Sequence, residues 1–161
     1  MRVTKYSSIL NEDKVCILKK ESSVNYKKCK SIKESIDVVY LFNNLYDLQN
    51  QTEEILYLIC TNTKNKVSGI FEVSRGTVFS TFVSPREVMK KALLCNSTSI
   101  IIVHNHPSGD PLPSTDDLKT TKLLIDCSKL MGIRFLDHII IGDSDSYFSM
   151  KGNDLIKDDE E

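Results

Sequence analysis

No two of the five cysteines form a Cys-x-x-Cys pair. Cys16, Cys29, Cys60, Cys95 and Cys127 are odd in number and widely spaced. That argues against a disulfide framework and against a cysteine-rich zinc ribbon. Most of them lie in apolar stretches and read as small core residues of a reduced compartment. Long hydrophobic runs are missing too: stretches such as Ile100 to Val103 are far too short to span a bilayer, so no membrane is expected. Nothing after Met1-Arg2-Val3-Thr4-Lys5-Tyr6 resembles a signal h-region. A cytoplasmic location is the resulting expectation. An excess of charge is also lacking. With 21 Lys and Arg against 22 Asp and Glu, the net charge is −1 and there is no global basic field for nucleic acid. Internal repeats and low-complexity linkers are absent as well.

What remains is 161 residues, 40% hydrophobic and 27% charged, the balance of one ordinary globular domain with a normal core. Residues 1–30 are mixed and polar, with one candidate strand at Val15 to Leu18. Ser31-Ile32-Lys33-Glu34 has capping-box spacing. Ile32, Ile36, Val39, Phe42 and Leu45 follow at helical period, which predicts a helix from Ile32 to Leu48. Glu54 opens a strand to Cys60, Asn62 to Asn65 make a turn, and Lys66 to Ser74 return as a second strand. A third strand is expected over 78–83. Ser84-Pro85-Arg86-Glu87 starts a helix to Cys95, with Ser84 as cap and Asn96 as its end.

Ser99 to Val103 reads as a buried strand. Behind it, three of the four prolines and a glycine fall between His106 and Ser114, which favours a stiff loop. Ser114 then starts a helix whose expected apolar stripe is Leu118, Leu123, Leu124, Cys127 and Leu130, with Gly132 as C-cap. Ile133 to Ile141 is a strand interrupted by Asp137-His138, so that one of the two should face inward. Tyr147 to Met150 is a last short strand, and 157–161 an acidic, disordered tail.

Two of the three histidines are His104 and His106. Alternate residues of an extended segment point the same way, so both rings can face one point. Catalytic zinc sites commonly add a carboxylate to such a pair and leave one position for water. Asp117, in the first turn of the next helix, is the best candidate. Zinc lowers the pKa of a bound water to about 7, and a general base must then carry the proton. Each element also has a plain structural use. Asp117 suits the helix dipole, and Ser114 is a natural N-cap.

The spacing His104-x-His106, seven residues, Ser114, two residues, Asp117 resembles the JAMM (MPN-plus) metalloprotease signature. The string His104-Asn105-His106-Pro107-Ser108-Gly109-Asp110-Pro111 resembles the RadC-like JAB-domain branch. So do Ser84-Pro85-Arg86-Glu87-Val88, the turn Asn62-Thr63-Lys64-Asn65, and Leu136-Asp137-His138-Ile139-Ile140-Ile141-Gly142. The resemblance covers about Thr52 to Ile156. It implies an α/β fold with a mixed sheet flanked by helices, similar to cytidine deaminase. It divides the chain into an N-terminal extension over 1–50 packed on the core, a JAB/MPN catalytic domain over 51–156, and the tail.

It further implies one zinc per chain on His104, His106 and Asp117. Glu54 would be the acid/base, preferred over Glu53 because Glu53 should point to the opposite face. Ser114 would stabilise the tetrahedral oxyanion, in competition with its capping role. His138 could support a metal ligand or belong to a structural pair. Asn105 and Ser108 are expected to shape the loop, and Glu72 to lie on a solvated face.

The implied activity is metallopeptidase or isopeptidase chemistry on a peptide or protein substrate. Two other readings stay open. One is a nucleic-acid enzyme or DNA-repair-associated protein. The other is a non-catalytic interaction module. A zinc deaminase would need His-x-Glu and Pro-Cys-x-x-Cys, and has neither here. The residues of an HNH nuclease are more dispersed than His104-Asn105-His106. Full-length RadC proteins carry a helix-hairpin-helix region, whereas residues 1–50 show no such Gly-hairpin, which leaves any DNA association weakly supported. The oligomeric state is not legible.

Overall fold

A computed structural model of the chain describes residues 1–76 and 83–157. The strand expected over 78–83 and the tail expected over 157–161 lie, but for Val83 and Lys157, outside the described residues. The rest forms a seven-stranded mixed sheet with three α-helices. The strands are β1 (Arg2–Leu10), β2 (Cys16–Asn25), β3 (Glu54–Thr61), β4 (Val67–Gly76), β5 (Ser99–Asn105), β6 (Arg134–Ile141) and β7 (Tyr147–Ser149). The helices are α1 (Ser35–Tyr46), α2 (Pro85–Leu94) and α3 (Thr115–Leu130). The strand order is β2-β1-β4-β3-β5-β6-β7, with β1–β4 and β5–β6 parallel and the other neighbours antiparallel. No helix among the described residues is long and apolar enough to cross a membrane.

The centre of the sheet is buried on both faces, because helices cover both. Tyr57, Ile59, Ile101, Val103, Ile139 and Ile141 pack with Val38, Val39, Leu41 and Phe42 of α1. Leu56, Leu58, Cys60, Ile100 and Ile102 pack on the other side with Val88, Met89 and Ala92 of α2 and Leu124 of α3. Such two-sided burial explains why the central strands β3 and β5 read as near-continuous apolar runs rather than alternating ones.

Several expectations need correction. Residues 1–30 hold a long hairpin, β1 with β2, rather than one short strand. Much of β2 is exposed on both sides, so no apolar alternation marks it. Helix α1 starts at Ser35, three residues after Ile32, the expected start. The Ile32 N–H donates to the Asn65 carbonyl in the β3–β4 turn (2.9 Å), and its side chain is buried there. The Asp37 carboxylate instead accepts from the Lys33 and Glu34 N–H groups, at 2.9 and 3.2 Å. Ser84 precedes α2 but its side chain makes no capping bond.

The stripe expected on α3 is largely wrong. Leu118, Leu123 and Leu130 are exposed, the last to 87%, while Thr121, Leu124 and Ser128 are buried. Glu72 is not a freely solvated group either. It pairs with Lys5 at 3.2 Å and Arg75 at 3.0 Å, and accepts from the Tyr57 hydroxyl. Finally, Asp137 and His138 are both buried, because each meets a different covered face of the sheet. Asp137 meets the α1 side and accepts from Ser35 Oγ, Ser149 Oγ and the Lys151 N–H (2.8, 2.6 and 2.9 Å). His138 meets α3.

Candidate metal centre

Strand β5 delivers His104 at its end on the face covered by α3, fully buried. His106 follows one residue beyond the strand. Its N–H donates to the Ile141 carbonyl at 2.9 Å, which keeps the chain extended past the sheet edge. The proline-rich loop then turns back so that the first turn of α3 comes over the two rings. His104 Nε2 and His106 Nε2 are 3.0 Å apart. Asp117 places Oδ1 at 3.3 Å from His104 Nε2 and Oδ2 at 3.6 Å from His106 Nε2. All three ligand atoms lie within 4.8 Å of one another.

Each of these groups is held from behind. The His106 Nδ1–H donates to the Asp110 carbonyl at 2.8 Å, which a carbonyl can only accept. His104 Nδ1 meets His138 Nε2 at 2.8 Å, and His138 Nδ1 meets Thr121 Oγ1 at 2.6 Å. In the loop, Ser108 Oγ accepts the Asp110 N–H at 3.4 Å, and Asp110 Oδ1 accepts the Leu112 N–H at 3.0 Å. The Gly109 carbonyl accepts the Asp143 N–H at 3.1 Å, tying the loop to the end of β6.

The electrostatics of the cluster favour a cation. Burial pushes the Asp117 carboxyl up, but the His106 hydrogen bond, His104 and both Ser114 donors outweigh it and hold the group well below the usual carboxylate range. Burial pushes His106 down. The Asp117 carboxylate, the Asp110 carbonyl and the charge of Glu54 outweigh it, so His106 is raised. His104 goes the other way, because full burial and the neighbouring His138 disfavour its charged form. Burial pushes His138 down to about 4.

Glu54 opens β3 opposite this cluster. Leu56 pairs directly with His104, so Glu54, two residues earlier, lies on the same sheet face and level with His106. Glu53 faces away and reaches Arg75 at 3.1 Å. The Asn105 side chain does not go into the loop. It is buried and reaches the approach to Glu54, where Oδ1 accepts the Ile55 N–H at 2.9 Å and Nδ2 donates to the Glu53 carbonyl at 3.0 Å.

The RadC-like JAB domain family model matches residues 32–155 of this chain. The chain belongs to the RadC-like JAB-domain family. A UPF0758 protein of Clostridium acetobutylicum is 47% identical over 129 residues, which is 80% of this chain and 54% of that protein. A UPF0758 protein of Clostridium perfringens is 42% identical over 142 residues, 88% of this chain and 61% of that protein. The chain thus spans little more than half the length of these curated relatives.

In this RadC-like JAB domain the donor set could hold a divalent metal cation. Two imidazole nitrogens and one carboxylate converge, each oriented by a further hydrogen bond, as metal-ligating residues usually are. Two nitrogen lone pairs only 3.0 Å apart repel unless a proton or a metal ion stands between them. Ser114 does the capping job expected of it and adds a bond that was not expected. Its Oγ accepts the Asp117 N–H at 3.1 Å as N-cap, and its proton goes to Asp117 Oδ2 at 2.6 Å. That proton can rotate toward an incoming oxyanion without loss of the cap. Thr121 and the clamp made by Asn105 were missed in the sequence. Thr121 stands four residues after Asp117, where a helical hydroxyl can bond back to the i−4 carbonyl, and that spacing is the one signal it carried.

Proposed function

We propose that this domain is a zinc-dependent hydrolase of amide bonds, of metallopeptidase or isopeptidase type, acting on a peptide or protein. The observation that carries the reading is the convergence of His104, His106 and Asp117 beside a carboxylate on the same sheet face. His104 Nε2, His106 Nε2 and the Asp117 carboxylate would hold one ion. Zinc in such a place supplies Lewis acidity toward water and toward a carbonyl oxygen.

The protein's own groups supply the rest. Glu54 takes the proton from the attacking water and returns it to the departing amine, a role suited to a carboxylate beside a cationic centre. Ser114 turns its hydroxyl proton from Asp117 to the developing oxyanion. The bonds of Asp117 and His106 to backbone groups keep these side chains placed before substrate arrives, which is what preorganised stabilisation requires.

The test is chemical. The protein, purified without a metal-binding tag and reconstituted with zinc, is assayed by elemental analysis and against a peptide library read by mass spectrometry. Near-stoichiometric zinc and new peptide termini are expected, with both lost in His104→Ala and Asp117→Ala. A wild-type protein that takes up no zinc overturns the reading.

A further inference from the structure

We propose that Thr121 and His138 are positioning residues that lock His104 as its Nδ1–H tautomer, so that its Nε2 lone pair always faces the metal position. The inference rests on the reading of His104 as a ligand, and it follows from counting protons along one buried chain of contacts.

The count starts at the Thr121 hydroxyl, which has one proton and three neighbours. The Asp117 carbonyl lies at 2.6 Å, His138 Nδ1 at 2.6 Å and Met150 Sδ at 3.1 Å. The carbonyl can only accept. If the hydroxyl proton went to His138, a hydroxyl oxygen and a carbonyl oxygen would face each other at 2.6 Å with nothing between them. The proton therefore goes to the Asp117 carbonyl, four residues back in the helix, a bond threonine commonly makes there. The hydroxyl is left as an acceptor, so His138 Nδ1 donates to it.

His138 is fully buried, and so is His104 beside it. Two adjacent buried imidazoles are neutral, since a charge on either would be desolvated. A neutral ring has one N–H. His138 has used its own toward Thr121, so its Nε2 must accept. The donor 2.8 Å away is His104 Nδ1. His104 then has no proton on Nε2, the atom that faces His106 and Asp117.

The relay has a direction and closes on itself. It begins at the backbone carbonyl of Asp117 and ends at the nitrogen that stands 3.3 Å from the carboxylate of that same residue. The first turn of α3 thereby prepares its own partner on β5. If either hydrogen bond made by His138 reversed, a proton would sit on His104 Nε2 and block the lone pair.

The experiment reads the tautomers directly. Nitrogen-15-labelled protein, stripped of metal by a chelator, is studied by long-range proton–nitrogen NMR of the imidazoles, and zinc affinity is measured by competition with a chromophoric chelator. The expected spectrum shows His104 and His138 each protonated on Nδ1, before and after zinc. In Thr121→Val, zinc affinity should fall about 10- to 100-fold, the usual effect of losing a group that orients a ligand. Thr121→Ser should restore it.

His104 protonated on Nε2 in the metal-free wild type overturns the proposal. So does wild-type zinc affinity in a folded Thr121→Val. If the wild type binds no zinc, the reading of the centre falls instead, and the metal-free spectrum still decides the tautomer.

Discussion

Leu56 stands directly across from His104 in the β3–β5 ladder, and this one register pairing determines which glutamate can face the His104–His106–Asp117 cluster. Counting back two residues reaches Glu54 on the same face, whereas Glu53 points to Arg75. Glu54→Gln should therefore keep its zinc and lose hydrolysis by about 10²- to 10⁴-fold, the usual size of an acid–base contribution. Glu53→Gln, which loses an exposed ion pair worth about 0–1 kcal/mol, should keep its activity. The comparison needs zinc content and turnover from the same preparations, and equal activity in Glu54→Gln would reassign the base.

Asn105 lies between the two histidines in sequence, yet its side chain brackets Glu54 by bonding to the Ile55 N–H and the Glu53 carbonyl. Asn105→Ala leaves the buried Ile55 N–H without this partner, at a cost of about 1–3 kcal/mol in stability. Zinc content should be close to wild type, because His104 and His106 have their own supports, while hydrolysis falls with the loss of a fixed Glu54. Urea unfolding measures the first effect. Loss of zinc in parallel with activity would show that Asn105 serves the ligands instead.

Gly142 follows β6 beside the His106 loop. A Cβ there would run into the Gly109 carbonyl oxygen, and Pro111 Cδ would lie at 3.0 Å. Gly142→Ala must push the loop outward, with an overpacking cost of about 1–3 kcal/mol. Because the same loop presents Asp110 to His106, weaker zinc binding should accompany the lower melting temperature. Unchanged zinc affinity would show that the loop yields elsewhere.

Glu72 governs part of the acid response. Burial raises its pKa, but Arg75 and Lys5 outweigh this and leave it lowered. A lowered carboxylate stabilises the fold fully above its unfolded value of about 4.3 and loses that contribution as pH falls through the folded value. The stability gap between wild type and Glu72→Gln should thus be present at pH 7 and shrink steadily below about pH 4.3. Denaturant titrations across that range check it, and a gap independent of pH would remove the ion pairs from the account.

The sequence was informative where local chemistry and long-range geometry agree. The run Ile100 to Val103, the His-x-His pair and three prolines describe a strand, two parallel side chains and a stiff return. His104, His106 and Asp117 do come together. The reading failed where the deciding partner is remote. Nothing near Ile32 reveals that its N–H belongs to Asn65. Leu118, Leu123 and Leu130 look like a buried stripe, but α3 turns Thr121 inward to meet His138, and the leucines fall outside. Residues of β2 meet solvent on both faces, so no pattern of burial shows in them.

The alternation of β6 has a further consequence. Asp137 serves the α1 side, where it gathers Ser35, Ser149 and Lys151, while His138 serves the opposite side and His104. A slip of one residue along β6 would exchange the two faces, putting a carboxylate behind the histidine cluster and an imidazole at the foot of α1. The tight turn Met131-Gly132, with Gly132 in the left-handed region, sets the phase of that strand. An insertion or deletion of one residue between α3 and β6 would therefore change what stands behind His104 without altering any residue of the His104–His106–Asp117 cluster.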